Sequence, residues 1–544
     1  MNALMKILSI FIISVCGPHF GSAQTTIFSI FKDPLTLANE SFSLGNYASA
    51  IELYKSVLNR KPEEITAQLR LAQAYYQLKD YKSSVSFYNR YLSHEDKELS
   101  FADMLNYAEA KVVLKDHATA LTYYKRCLQR DPKNDVIAKK IWRIDNINYL
   151  FEDSSRFAVQ ELAINSPAGE LAPVVVPDGL IFTSNRKISR AVERVNAKLN
   201  EPFYQLYKTS WKPTSTSGIT IMTEPKLFAS SLSSPYNTGP AAFYNKGKNM
   251  VFVSSSTDVG ENDSYTLGLY FAVLEENKWK MLPSYQFNNT AYSINDVSIN
   301  EDGTVLFFSS DMKGGYGGND IYTSQFKDGR WSKPQNLGES VNTSQNEIFP
   351  YLHKDGSLYF SSDGLPGLGQ LDLFKTELGS SGYNEPQNLG YPVNSSYDDF
   401  GITFDSLATH GYFTSNRNSG GYDDDIFELD MDLQQYPITI AGVMKFKEHT
   451  WSEQTTIQPW PNVKFFLVDS RHGKTVSEGM TGAGGSFSIT IPYFSKYFLQ
   501  IVDPSGNEHK ASLEIAKYRS EISSHEIVVV KDMFNQKEEK NPYD

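Results

Sequence analysis

Residues 314 to 322 read GGYGGNDIY, four glycines and an aspartate set against an Ile-Tyr pair. Such a stretch suits a phosphate loop, a calcium loop or a tight turn, and the choice separates an enzyme from a metal protein from a scaffold. Variants of it within the same chain decide the matter. Strand-like runs end in LIFTSNR, MVFVSSS, LFFSSD, LYFSSD and GYFTSNR, aligned on Phe182, Phe252, Phe308, Phe360 and Phe413. The last three intervals are 56, 52 and 53 residues. Ahead of four of them lies a tight-hairpin pair, Asp178-Gly179, Lys246-Gly247, Asp302-Gly303 and Asp355-Gly356, while only Gly411 remains in the fifth. Twelve residues after Phe308, Phe360 and Phe413 come Asp320, Asp372 and Asp425, in GGNDIY, LGQLDLF and YDDDIF. The opening stretch is thus one copy of a repeated connector. A further strand carries Trp331-Ser-Lys-Pro334-Gln-Asn-Leu, matched by Asn384-Glu-Pro386-Gln-Asn-Leu. Four strands in each unit of about 50 residues, repeated five times, describe a β-propeller.

These units resemble the PD40 (TolB-like, WD40-like) repeat, whose hallmark is SxxxExxPxxxxDGxxLxFxSxR followed by GxxDLY. Glu170-Leu-Ala-Pro173 through Arg186 fits it, as do Glu347-Ile-Phe-Pro350 through Asp363 and the segment at Asp372. The second unit diverges, with Ser264 where the Asp belongs and entry through Gly268-Leu269-Tyr270. The first reaches Gln205-Leu206-Tyr207 only after an insertion, and a sixth blade around residues 210–235 stays open.

The connector fits neither ligand loop. A phosphate cradle opens a helix and brings Lys and Ser/Thr, but a strand follows here. Calcium needs several alternating oxygen ligands; Asp423-Asp424-Asp425 comes nearest, while LGQLDLF offers one carboxylate. The reading adopted is that Asp320, Asp372 and Asp425 accept backbone N–H bonds and fix their turns. A metal is the alternative. The insertion KISRAVERVNAKLN, residues 187 to 200, sets Lys187, Arg190, Arg194 and Lys198 against Glu193 and has a helical period. It is a solvated loop or a docking element for an acidic partner.

The 544 residues exceed one domain, and a net charge of −12, spread along the chain, argues against a nucleic-acid partner. Aromatic residues reach 13%, which favours strand-rich structure. Residues 1–23 read as a secretory signal, with Lys6, an apolar core from Ile7 to Val15 and a small-residue site at Gly21-Ser22-Ala23. Cys16 follows Val15, a poor match to lipid attachment. Cleavage would leave Cys127 as the lone thiol, read as packed rather than nucleophilic.

Residues 24–153 repeat a helical pattern. Tyr47, Tyr81 and His117 are spaced by 34 and 36 residues, as are the small residues Ala50, Ser84 and Ala120, with Tyr54, Tyr88 and Tyr124 four residues later. This resembles the tetratricopeptide repeat, with Lys79 and Lys115 departing near its Gly turn. The expectation is an independent array with a free concave face, on which Tyr54, Tyr88 and Tyr124 meet a partner, and a propeller over 154–434 that acts as a spacer. Residues 435–530 alternate as a small β-sandwich, and residues 531–544 read as a flexible tail. Thr481-Gly-Ala-Gly484-Gly485-Ser-Phe487 resembles a corner of the carboxypeptidase-regulatory-like domain, without its Asp.

No HExxH, G-x-S-x-G, Walker loop or CxxC occurs, so no catalytic, cofactor-binding or metal residue is assigned. The module order resembles exported proteins of Bacteroidetes, among them PorE-like, OmpA-family components linked to type IX secretion and gliding. The OmpA-like, peptidoglycan-binding domain that follows the sandwich in that family has no counterpart here. The resemblance implies a non-enzymatic scaffold in the periplasm at the outer membrane, beside a PorP/SprF-like barrel. A propeller that binds or hydrolyses a glycan or peptide is the alternative.

Overall fold

The repeat spacing in the N-terminal third becomes seven helices: α1 (Pro34–Ser43), α2 (Tyr47–Arg60), α3 (Ile65–Gln77), α4 (Tyr81–Leu92), α5 (Phe101–Val113), α6 (His117–Arg130) and α7 (Asp135–Asn146). They belong to a computed structural model that describes residues 32–531, apart from 153, 188–193, 197–198, 214–219, 260–264, 381, 432–436, 450–454, 471–472, 493–495 and 514–525. The signal and most of the tail lie outside the described residues. Among those described, no helix is long and apolar enough to cross a membrane.

Ala50, Ser84 and Ala120 are fully buried, so paired helices approach closely at these seams. Tyr54, Tyr88 and Tyr124 are also 0% exposed, which corrects their expected role as partner contacts. The reason is the spacing itself: a residue four positions after a seam residue shares its face and enters the same seam. The Tyr54 hydroxyl donates to Asn39 at 2.7 Å and that of Tyr88 to Asp103 at 3.1 Å. Cys127 packs in the same core, and burial pushes its thiol up.

Each helical hairpin turns through a residue at positive φ: Gly45 at 75°, Lys79 at 61° and Lys115 at 61°. The two lysines that depart from the repeat pattern therefore hold a conformation natural to glycine. Lys115 is exposed. Lys115→Gly should raise stability by about 0.5–1 kcal/mol, read as an increase in melting temperature. Lys79→Gly should not, because Lys79 also pairs with Asp398.

From Ala158 to Asp430 the chain forms five sheets. Their innermost strands are Glu170–Val176, Thr238–Tyr244, Ile294–Ile299, Glu347–Leu352 and Asp399–Phe404. Each touches the next, and the last touches the first, so the ring closes at five blades. Residues 205–213, 220–222 and 226–227 complete the first blade, so the described residues form no sixth. The fifth sheet takes Ala158–Glu161 as its outer strand, so sequence from before the first blade closes the ring.

Every blade packs the aromatic residue that anchors the alignment against one in the next strand, stacked in four blades and tilted by 34° in the second. The pairs are Phe182–Tyr207, Phe252–Tyr270, Phe308–Tyr322, Phe360–Phe374 and Phe413–Phe427, with ring centroids 5.7 to 6.2 Å apart. Burial of both rings in four blades, and of Phe252 against the half-buried Tyr270 in the other, supplies much of the core.

Residues 438–531 build two four-stranded sheets. Phe465, Leu467, Phe487, Ile489 and Leu499 fill the space they enclose. At the corner after Lys474–Met480, the Thr481 hydroxyl donates to the Trp460 carbonyl at 2.6 Å and accepts the Val463 N–H at 3.0 Å.

Candidate partner-binding site between the helical array and the propeller

The repeated aspartates begin the third strand of their blades. Asp320 accepts the N–H groups of Tyr316 at 2.6 Å and Gly317 at 3.1 Å, and the Asn336 amide at 2.7 Å. Asp372 accepts the N–H groups of Leu368 and of Gly369 (2.8 Å), with the Asn388 amide at 2.9 Å. A Cβ at Gly315 or Gly367 would lie 2.2 or 1.8 Å from these carboxylates, which explains the glycines of the connector. Both aspartates are 1% exposed.

Asp425 differs in its surroundings. At the register of Asn336 and Asn388, the outer strand of blade five carries Glu161. Burial, then Asp423, Glu161, Glu170 and Asp424, push the Asp425 carboxyl up to about 7. Among the described residues, no group of three or more His, Cys, Asp or Glu side chains is arranged to hold a metal ion.

A second clasp went unread in the sequence. Asn342 accepts from the Ile321 N–H at 2.8 Å and donates to its carbonyl at 3.0 Å. Asn394 does the same to Leu373, Asn165 to Ile426 and Asn288 to Leu269. The signal was the recurring Val-Asn-Thr, Val-Asn-Ser and Ile-Asn-Ser before inner strands.

These clasps stiffen the connectors, and the helical array sits on them. The Arg143 guanidinium, 6% exposed, donates to the Gly369 carbonyl at 2.7 Å. Lys79 forms an ion pair with Asp398, which is 2% exposed and is also bonded by Asn416 at 2.9 Å. The backbone of Lys79 and the Tyr81 ring lie so near Gly421 that a Cβ there would meet them at 2.7 and 2.8 Å. The Tyr391 N–H donates to the Leu150 carbonyl at 2.8 Å, and Tyr397 packs against the helical core. Behind this contact, Glu109 is bonded by Tyr76 and lies 3.0 Å from Lys140. Burial opposes its charge, but Lys140 and Tyr76 hold its carboxyl below the usual range.

Array and propeller thus belong to one compact unit, which corrects the expected independence of residues 24–153. Deleting the array would remove the cation that pairs with Asp398 and uncover the propeller face it covers.

Beside this contact lies a cleft of about 400 Å³. Tyr75, Lys79 and Asp80 line it from the array, and Glu201, Tyr204, Tyr422, Asp423 and Asp424 from the propeller. Burial, then Glu170 and Glu201, push Asp423 up to about 6. Asp424 is also pushed up to about 6, by burial, against Lys79 and with help from Asp398 and Asp423. Crowded carboxylates that resist ionisation favour a cation that shares their charge.

The basic insertion borders this cleft through Leu199, next to Glu201. Residues Val195–Asn196 pair with Glu201–Pro202, so this part is a short hairpin rather than the expected helix. Arg194 lies over the Tyr236 ring at 5.3 Å, and Lys187 is exposed. Arg190 and Lys198 fall outside the described residues.

The propeller axis offers little room. Its channel, about 100 Å³, is lined by all five inner strands, and the Phe349 and Phe400 rings meet there at 4.8 Å. Ligand pockets usually enclose about 300–1,000 Å³.

The tetratricopeptide-repeat family matches residues 41–105 and again 104–134. No protein of curated function matches the chain. Among solved structures, a puromycin-hydrolysing peptidase of Mycobacterium tuberculosis is similar at 11% identity, covering 64% of this chain and 44% of its own, with a TM-score of 0.26. An exo-β-1,3-galactanase of Clostridium thermocellum shares 13% identity over 65% of this chain and 83% of its own, with a TM-score of 0.31. The tricorn protease shares 13% identity over 65% and 32%, with a TM-score of 0.26. The chain therefore spans less than half the length of the two peptidases. The propeller assignment rests on the closed ring of five sheets, and the seven helices before it form a tetratricopeptide-repeat array.

Proposed function

We propose that this protein is a non-enzymatic binding protein whose cleft between array and propeller receives a cationic segment of a protein partner. The observation that carries this is the acidic lining, with Asp80, Glu201, Asp423 and Asp424 facing one cavity beside a tetratricopeptide-repeat array. Lys79, the one lysine among the lining residues, is already engaged by Asp398. A lysine- or arginine-rich segment entering the cleft would stabilise the ionised form of Asp423 and Asp424, so binding near pH 6 releases protons to solvent.

On the resemblance of its module order, the protein is exported and works in the periplasm at the outer membrane. Its partner is then an envelope protein, with a PorP/SprF-like barrel and the type IX secretion or gliding machinery as the setting. The test is affinity capture from envelope extracts with the wild type and with Asp423→Asn/Asp424→Asn. The double variant should lose most of the captured partner, and wild-type capture should weaken as salt rises from low to physiological strength. Equal capture by both proteins would sink the cleft as the binding site. A soluble protein that turns over an oligosaccharide or peptide would overturn the non-enzymatic reading.

A further inference from the structure

Hairpin turns between the first and second strands of a blade lie at the opposite end from the connectors, and so away from the array. At that end, between blades two and three, lies a cavity of about 820 Å³. Its size is that of an ordinary small-ligand site. The turns at Asn245 and Glu301 hold its rim together, with the Asn245 N–H donating to the Glu301 carbonyl at 2.8 Å.

We propose that this cavity binds a neutral saccharide. Its wall is a platform of rings that the protein holds in place. Trp331 stacks on Phe271 with centroids 5.7 Å apart and planes 12° from parallel, and Phe326 leans on it at 5.1 Å. Tyr285 meets its edge at 6.3 Å, while the Gln286 amide donates to its carbonyl at 3.0 Å. The wall nevertheless faces solvent, since Phe326 is 41% exposed. A fixed and partly wet aromatic surface suits the C–H face of a pyranose, which is apolar on its flat side and polar at its rim.

The other side of the cavity meets that polar rim. Asn249, Gln286, Glu301 and Asp302 all line it. Amides offer a donor and an acceptor together, and carboxylates two acceptor oxygens, so each can engage neighbouring hydroxyls of a sugar in pairs. Two carboxylates against the single lysine of the lining, Lys246, set the cavity against an anionic ligand. The corresponding tryptophan of blade two, Trp279, packs instead against Phe228 and Phe243, at 5.9 and 6.0 Å.

The test uses the full chain, titrated with neutral β-linked gluco-, xylo-, manno- and N-acetylglucosamine hexasaccharides and followed by tryptophan fluorescence and calorimetry. At least one should bind with a Kd near or below about 1 mM. Phe326→Ala and Glu301→Gln should each weaken that binding about tenfold or more at unchanged melting temperature. Trp142→Ala, in the helical array, should leave it as in the wild type. The proposal fails if none of the four binds at about 5 mM, or if both cavity variants bind like the wild type. It also fails if the cavity variants weaken only the binding of a proline-rich peptide. Capture of the protein partner by the Asp423→Asn/Asp424→Asn protein is a separate readout, so the two readings fail independently.

Discussion

Asp372→Ala should lower the stability of the array–propeller unit by about 2–4 kcal/mol, whereas Asp425→Asn should raise it by about 1–3 kcal/mol at pH 8. The two residues hold the same place in successive blades, and sequence alone assigns them one role. Their donors differ. Asp372 satisfies two buried backbone N–H groups and the half-buried Asn388 amide. Alanine would leave those donors without acceptors, at about 1–3 kcal/mol for each fully buried group. Asp425 instead stands among Asp423, Glu161, Glu170 and Asp424, and its carboxyl titrates near 7. At pH 8 the folded protein must hold it charged among like charges, and an asparagine removes that cost. Thermal or urea denaturation of both variants at pH 8 checks the pair of signs. Equal destabilisation would mean that Asp425 is a turn-fixer like its homologue.

This contrast shows where the sequence stopped being informative. The blade repeat was legible because its determinants are local: a Gly turn, a buried phenylalanine and an aspartate twelve residues on. Even the stacking of Phe360 on Phe374 follows from that spacing, since the residues pair across one hairpin. The character of Asp425 depends on Glu161, which reaches blade five only because the ring closes with an earlier strand. Lys79 and Asp398 are 319 residues apart, and no pattern within either segment points to the other. The tyrosines were misplaced for a different reason. An aromatic residue at repeat spacing signals a helix face, but whether that face is groove or seam depends on the partner helix. Of the basic insertion, the sequence marked the position and the charge, and the structure adds that its hairpin borders an acidic cleft.

The second large effect is a loss of stability as pH rises. Glu347 is fully buried, and burial pushes its carboxyl up to about 7, against hydrogen bonds from Ser362 and Thr343. Its counterparts have help that it lacks. Arg186 lies 2.8 Å from Glu170 and Arg417 lies 2.5 Å from Asp399, whereas Gly364 stands at the register of these arginines in blade four. Below about pH 4.5 Glu347 is protonated both folded and unfolded, and its contribution does not change with pH. Above that the unfolded chain releases the proton while the folded one keeps it until about pH 7, so stability falls across this window. A buried carboxyl of this kind gives up about 3 kcal/mol over the interval. Asp296, pushed up to about 6 by burial beside the axial channel, adds to the same trend. Glu347→Gln reproduces the protonated form: its carbonyl can accept the Thr343 N–H, bonded at 2.6 Å in the wild type, and its amide can donate to the Ser362 hydroxyl. The variant should match the wild type near pH 4.5 and exceed it at pH 8, with a correspondingly flatter profile of melting temperature against pH. A profile as steep as that of the wild type would show that Glu347 ionises at an ordinary pH and that its missing arginine has no energetic consequence.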